Sequence, residues 1–304
     1  MNLDSCFIYG QDQQGAETLK KGAAGEDSLH HFTASDGAQI AYRDEGAGRP
    51  ILLLHGLMAH SGFFEPQRAL ADTFRLIGMD LRGHGASSVE APSVGRIAAD
   101  VAELAAKLDL TEVIGVGWSL GASVLWRLLS GSIADRFAGA VVIDMTPRVL
   151  NGSDWALGLS QEHCDARSEA MREDFPAFAR SAGAAIFAQP LEGESRSLAA
   201  WAGEEFARND PAAIVALWSS LVAEDVRSLL SGIGQPTLVV HGSHSHLYGA
   251  RTAEDLTEAL PNARAVAFRR SGHAPHLEEP ELFNSTLRQF AATLPPVRSL
   301  AIPA

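Results

Sequence analysis

The sequence predicts an α/β fold, a mostly parallel sheet flanked by helices with an inserted helical cap. Three observations carry this. Apolar runs of strand length alternate with amphipathic helical stretches from about Leu29 to Leu294. A Gly-x-Ser-x-Gly pentapeptide, Gly117 to Gly121, falls between one such run and a helix. The roughly 90 residues between Asp144 and Pro236 hold no clear strand, and structureless loops that long are rare in compact domains.

The elements follow in order. Leu29–Ser35 and Ala38–Asp44 read as strands joined by a turn at Asp36 and Gly37. Ile51–Leu54 is a buried-strand run ending at His55 and Gly56, with a helix near Phe63–Thr73 and a strand at Phe74–Leu81. Ile97, Val101, Leu104 and Leu108 share one helical face, so Arg96–Leu108 is a helix. Val113–Val116 is a strand running into the pentapeptide, and an Ala- and Leu-rich helix follows to about Leu129. Ala138–Ile143, Thr237–Val240 and Ala263–Phe268 are the remaining strands, and a helix near Pro280–Leu294 closes the pattern. The organisation expected is an α/β core at residues 29–145 and 236–294 and a helical cap at 146–235. A polar extension covers 1–28 and a tail 295–304. The cap contains Trp155, Leu157, Leu159, Phe187 and Trp218, some of which must face the site if it is a lid.

Composition narrows the function. Hydrophobic residues make up 46% of the chain and charged residues 20%, which fits a soluble protein with a large core. The net charge of −13 disfavours phosphate backbones, so nucleic acid is not an expected partner. Two cysteines, Cys6 and Cys164, are too few for a disulfide framework. No apolar run reaches membrane-spanning length, and the first 28 residues, with Asp4, Asp12, Glu17, Lys20 and Lys21 among them, lack a secretion h-region. The cytoplasm is the expected location, and the sequons at Asn151 and Asn284 are then chance matches.

Ser119 is the candidate nucleophile. A sharp strand-to-helix turn lifts its hydroxyl above the sheet, the flanking glycines leave room, and the helix N-terminus favours negative charge there. Gly115, Gly117 and Gly121 imitate a dinucleotide fingerprint, but the spacing is one residue too long.

These motifs stand in a fixed order. His55-Gly56, then Asp80-Leu81-Arg82-Gly83-His84-Gly85, the serine turn and Gly272-His273 together resemble the α/β-hydrolase superfamily across about Leu29 to Leu294. The resemblance implies an oxyanion hole from the backbone N–H groups of Leu57 and Leu120, with Met58 and Trp118 lining the pocket. It also implies that His273 is the general base, with His276 as the rival, and that His55 and the Asp80–Gly85 stretch are structural. The family's usual acid position, four residues into Gly242-Ser243-His244-Ser245, carries Ser245 instead of Asp. Asp144, ending the strand beside the serine turn, is the expected substitute, with Ser245 as an auxiliary. The pattern is similar to small esterases and thioesterases with Asp-x-x-Pro after strand six, here Asp144-Met145-Thr146-Pro147. Asp144 could alternatively cap the following segment.

His241, His244 and His246 invite a metal reading, but no clear carboxylate or cysteine joins them, so no metal is expected. Glu278, Glu279 and Glu281 read as the acidic first turn of a helix. The expected activity is cofactor-free hydrolysis of a carboxylic ester, thioester or lactone of a small, largely apolar substrate, with Trp155 among the substrate contacts. Ser at the turn argues against the dehalogenase and epoxide hydrolase chemistries of this superfamily, which use Asp. A carbon–carbon bond hydrolase, a perhydrolase, a cofactor-free lyase and a low-turnover receptor are the rivals. The sequence does not fix the oligomeric state.

Overall fold

A computed structural model describes residues 29–296, so the N-terminal extension and most of the C-terminal tail lie outside the described residues. Eight strands form one sheet: β1 (His30–Thr33), β2 (Gln39–Gly46), β3 (Arg49–Leu54), β4 (Phe74–Met79), β5 (Val113–Trp118), β6 (Phe137–Ile143), β7 (Thr237–Gly242) and β8 (Ala263–Phe268). Their spatial order is β1-β2-β4-β3-β5-β6-β7-β8. β2 runs antiparallel to both of its neighbours, β1 and β4, and all the other pairs are parallel. Every residue of β5 is buried, as a strand covered on both faces requires. The order reverses between β3 and β5, and such a switch opens a crevice beyond the carboxyl ends of the strands.

Helix α1 (Val94–Lys107) buries Val94, Ile97, Val101 and Leu104 along one stripe, and the Ser93 hydroxyl caps it by accepting from Arg96 N at 3.1 Å. Helix α2 (Leu120–Leu129) leaves the serine turn almost wholly buried. The segment between β6 and β7 holds α3 (Gln161–Glu173), α4 (Phe175–Ala185), α5 (Glu194–Ala207), α6 (Pro211–Val222) and the short α7 (Arg227–Leu230). Ser160, Asp174 and Asp210 start α3, α4 and α6 by accepting from the N–H three residues on. Helices α4 and α5 meet backbone to backbone: a Cβ on Gly183 would fall 2.3 Å from Gly203 N. Helices α8 (Ala250–Ala259), α9 (Pro275–Glu278) and α10 (Pro280–Thr293) complete the fold. No described helix is long and apolar enough to cross a membrane.

Two elements differ from the sequence reading. The helix expected near Phe63–Thr73 is a 3₁₀ segment, Ser61–Leu70, because Pro66 has no N–H for an α-helical bond and Phe64 (φ −103°, ψ 17°) kinks the backbone. Helix α8 was not expected: its start, Gly249, offers no capping side chain, and few of its residues, Ala253 and Leu256 among them, are apolar and buried.

Candidate active site

Ser119 follows β5 and precedes α2 with φ 51° and ψ −116°, a left-handed conformation that costs a non-glycine residue about 1–3 kcal/mol. Its N–H continues the ladder to Ile143 O at 3.0 Å, and its hydroxyl makes no capping bond to the helix it begins. Two glycines make the turn sterically feasible. A Cβ on Gly121 would lie 2.1 Å from Leu54 O, and one on Gly117 would lie 2.5 Å from Gly121 O. Gly121→Ala is therefore expected to destabilise the protein by about 3 kcal/mol or more, read as a lower denaturation midpoint. An unchanged midpoint would mean that the turn relaxes at little cost.

The loop after β3 is fixed by two buried, neutral histidines. Met58 N–H donates to His84 Nε2 at 3.0 Å, and Leu81 N–H donates to His55 Nε2 at 2.9 Å. Burial holds His84 down at about 4 and pushes His55 well below its usual range, so both accept rather than carry charge. Asp80 ties in the next loop, accepting from Ser61 N at 2.8 Å and Ala86 N at 3.0 Å. These bonds fix the backbone beside Leu57, and the preceding Gly56 is close enough to the serine turn that a Cβ on it would fall 3.3 Å from Ser119 Cβ. Met58 N–H is committed to His84, so it is not an oxyanion donor. Leu120 N–H opens a helix, where the first-turn donors have no intrahelical acceptor.

Asp144 follows β6 at φ 45°, a region Asp tolerates better than most residues. Its N–H bonds Val240 O at 2.8 Å, which holds it against β7. Its carboxylate reaches His273: Nδ1 lies 2.6 Å from Asp144 Oδ2, with both side chains almost fully buried. The Ser245 hydroxyl donates to the same Oδ2 at 2.6 Å and accepts from Leu247 N at 3.3 Å and Tyr248 N at 3.4 Å. The His273 loop is pinned further where Trp118 Nε1 donates to His273 O at 2.8 Å and His273 N donates to Ile186 O at 2.7 Å.

Glu278 adds a third clamp that the sequence did not disclose. It accepts from Ala188 N at 2.6 Å and Gly272 N at 2.7 Å, bridging the β6–β7 insertion to the residue before His273. Burial raises its carboxyl to about 7. The folded pKa thus exceeds the unfolded value, so the protein loses stability as pH rises from about 4.5 to 7, by at most about 1.4 kcal/mol per pH unit. In Glu278→Gln that component is expected to vanish. Denaturant titrations at pH 5 and 7 should show the variant gaining on wild type at the higher pH, and parallel curves would overturn the assignment.

Ser119 and His273 open on one cavity of about 280 Å³. Leu57, Met58 and Trp118 line it from the core, and Leu159, Ile186, Phe206 and Trp218 from the insertion. Trp155 is a correction. The 147–160 segment folds back on itself through the Leu150–Leu159 and Gly152–Trp155 bridges. That turns the Trp155 ring under Arg227, with Nε1 donating to Arg148 O at 2.8 Å, and Leu159 reaches the cavity instead. Phe187 and Leu157 are likewise not cavity residues. His276, the rival base, is buried against Trp118 and Phe64, and burial lowers it to about 3. His244 and His246 are both exposed, His246 at the edge of the cavity, and among the described residues no cluster of His, Cys, Asp or Glu is arranged to hold a metal ion. Arg167 and Tyr248 also line the cavity and escaped the sequence reading as site residues. Tyr248 lies three residues past Ser245, in the loop after β7.

The chain is similar to known proteins. Residues 49–280 match the alpha/beta hydrolase fold family. A pimeloyl-acyl-carrier-protein methyl ester esterase of Nitrosomonas europaea is 31% identical over 261 residues, covering 82% of this chain and 98% of that protein. The esterase EaEST of Exiguobacterium antarcticum, 26% identical, superposes with a TM-score of 0.82 over 88% of this chain and 100% of that one. The esterase RhEst1 of a Rhodococcus species, 27% identical, does so at 0.75 over 88% and 100%.

Proposed function

The chain belongs to the alpha/beta hydrolase fold family, and from that premise we propose that it is a serine carboxylic ester hydrolase acting on small, largely apolar esters, thioesters or lactones. One observation carries the reading most: a strained serine shares a mainly apolar cavity with a histidine whose far nitrogen is held by a buried aspartate. The likeness to the esterases named above supports the bond type.

In this mechanism His273 Nε2 takes the Ser119 proton as Oγ attacks the ester carbonyl. The developing oxyanion sits between the Leu57 and Leu120 N–H groups, where fixed dipoles act without reorganising. The intermediate collapses, His273 protonates the leaving alkoxide or thiolate, and the acyl group stays on Ser119. Water, activated by the same imidazole, then releases the acid. Asp144 keeps Nδ1 protonated and stabilises the imidazolium, and Ser245 steadies Asp144. Helices α3 to α6 act as the cap, with residues 29–145 and 236–294 as the core.

The test is hydrolysis of p-nitrophenyl acetate through octanoate together with labelling by a fluorophosphonate. Saturable turnover and one labelled peptide containing Ser119 support the reading. Inertness across the series, with no label at Ser119, would sink it.

A further inference from the structure

Arg167 stands on α3 and faces the catalytic cavity. Its guanidinium carbon lies 5.3 Å from the Trp218 ring centroid and 5.5 Å from that of Phe178. Trp218 is itself fixed, with Nε1 donating to Ser168 Oγ at 3.0 Å and Cys164 O at 3.4 Å. The planar cation is therefore held in one orientation.

What it lacks is a counter-ion. Its buried Nε has no hydrogen-bond partner, and no described carboxylate pairs with it. The ionisable groups that act on it are the Tyr248 phenol and the Cys164 thiol, both held in their neutral forms by burial, and burial also pulls its own pKa down. Arginine remains protonated even so. Two other ring-stacked arginines among the described residues are treated differently. Arg227, over Trp155, pairs with Asp154 and Asp225, and Arg288, over Phe74, pairs with Asp72. Stacking alone thus comes with a carboxylate where the role is structural. Arg167 has the rings without the acid, and it lines the cavity that holds Ser119 and His273. No Asp or Glu lines the cavity.

A half-buried cation with a buried, unpartnered Nε and no carboxylate beside it gains when an anion pairs with it. Accordingly, we infer that Arg167 selects esters bearing a carboxylate remote from the scissile bond. This rests on the esterase reading of the same cavity and narrows it from apolar esters to half-esters of short aliphatic dicarboxylic acids. The guanidinium fork matches a carboxylate with two parallel N–H···O bonds. Burial keeps the Tyr248 phenol protonated, so a further donor stands in the cavity. Leu159, Ile186 and Phe206 take the methylene chain, and a cavity of about 280 Å³ keeps that chain short.

The deciding comparison is kcat/KM for monomethyl adipate against methyl hexanoate, which match in chain length but not in charge. Wild type is expected to favour the half-ester by at least about tenfold. Arg167→Gln should lower that preference by about 10- to 100-fold, and Arg167→Lys should retain part of it. A ratio near one in wild type, or a ratio that Arg167→Gln leaves unchanged, overturns the inference.

Binding separates it from the esterase reading. Ser119→Ala titrated with monomethyl adipate should quench tryptophan fluorescence, and methyl hexanoate should do so more weakly. If neither ester is hydrolysed but this discrimination holds, the anion site stands and the esterase reading falls. If both esters are cleaved without discrimination, the reverse follows. Should Arg167→Gln fail to fold, the wild-type ratio and this titration decide alone.

Discussion

Ser119→Ala is expected to lower kcat for p-nitrophenyl butyrate by about 10⁴-fold or more while leaving the fold intact. The loss is large because hydroxyl, imidazole and carboxylate act as one unit, and removing the attacking atom leaves only the oxyanion donors and binding. The fold should survive because the hydroxyl makes no helix-capping bond and the backbone N–H to Ile143 O remains. Ala inherits the same unfavourable φ of 51°. Ser119→Gly should lose activity equally yet gain about 1 kcal/mol of stability, since glycine accepts that conformation freely. Stopped assays on purified variants, paired with thermal melts, check both points. An alanine variant retaining more than roughly one hundredth of wild-type turnover would point to a different nucleophile.

The core of the fold was legible because its strands are short apolar runs and its punctuation is glycine. Gly117 and Gly121 were readable as necessary, and the approach of Gly121 to Leu54 O shows the physical reason. His273 was reachable from its place after Gly272 and the last strand. The 3₁₀ form of the Phe63 segment is also written locally, in Pro66.

Other features depend on packing that no local pattern encodes. Trp155 is an aromatic in the insertion just as Trp218 is, yet one stacks on Arg227 and the other lines the cavity. What separates them is the way the 147–160 segment bridges to itself. Arg167 sits in a polar helix, QEHCDARSEAMRE, rich in charge, and nothing in that string singles it out. Its distinction is the missing carboxylate, which is a property of three dimensions. Glu278 looked like an acidic helix start. Its role as a clamp on Gly272 arises because the insertion delivers Ala188 N to the same carboxylate.

Asp144→Asn should lower kcat/KM by about 10²- to 10⁴-fold, the scale expected when an imidazole loses the carboxylate that sets its tautomer. Asn suits the test because it tolerates φ 45° and preserves volume, so a loss reports on charge and hydrogen bonding rather than on the backbone. Ser245→Ala removes a 2.6 Å bond to the same oxygen that His273 contacts, but leaves the His273–Asp144 bond in place. Its cost should be nearer threefold to tenfold, the worth of about one hydrogen bond. The proximity of Ser245 to Asp144 Oδ2 also makes a gain-of-function experiment available. Adding Ser245→Asp to Asp144→Asn moves the carboxylate to the neighbouring strand end, within reach of the same imidazole, and should restore part of the lost activity. If Asp144→Asn stays within about threefold of wild type, the acid lies elsewhere and Asp144 merely fixes the β6 end. If it is inactive and the double variant recovers, the imidazole needs a carboxylate at Nδ1 and either strand end can supply it.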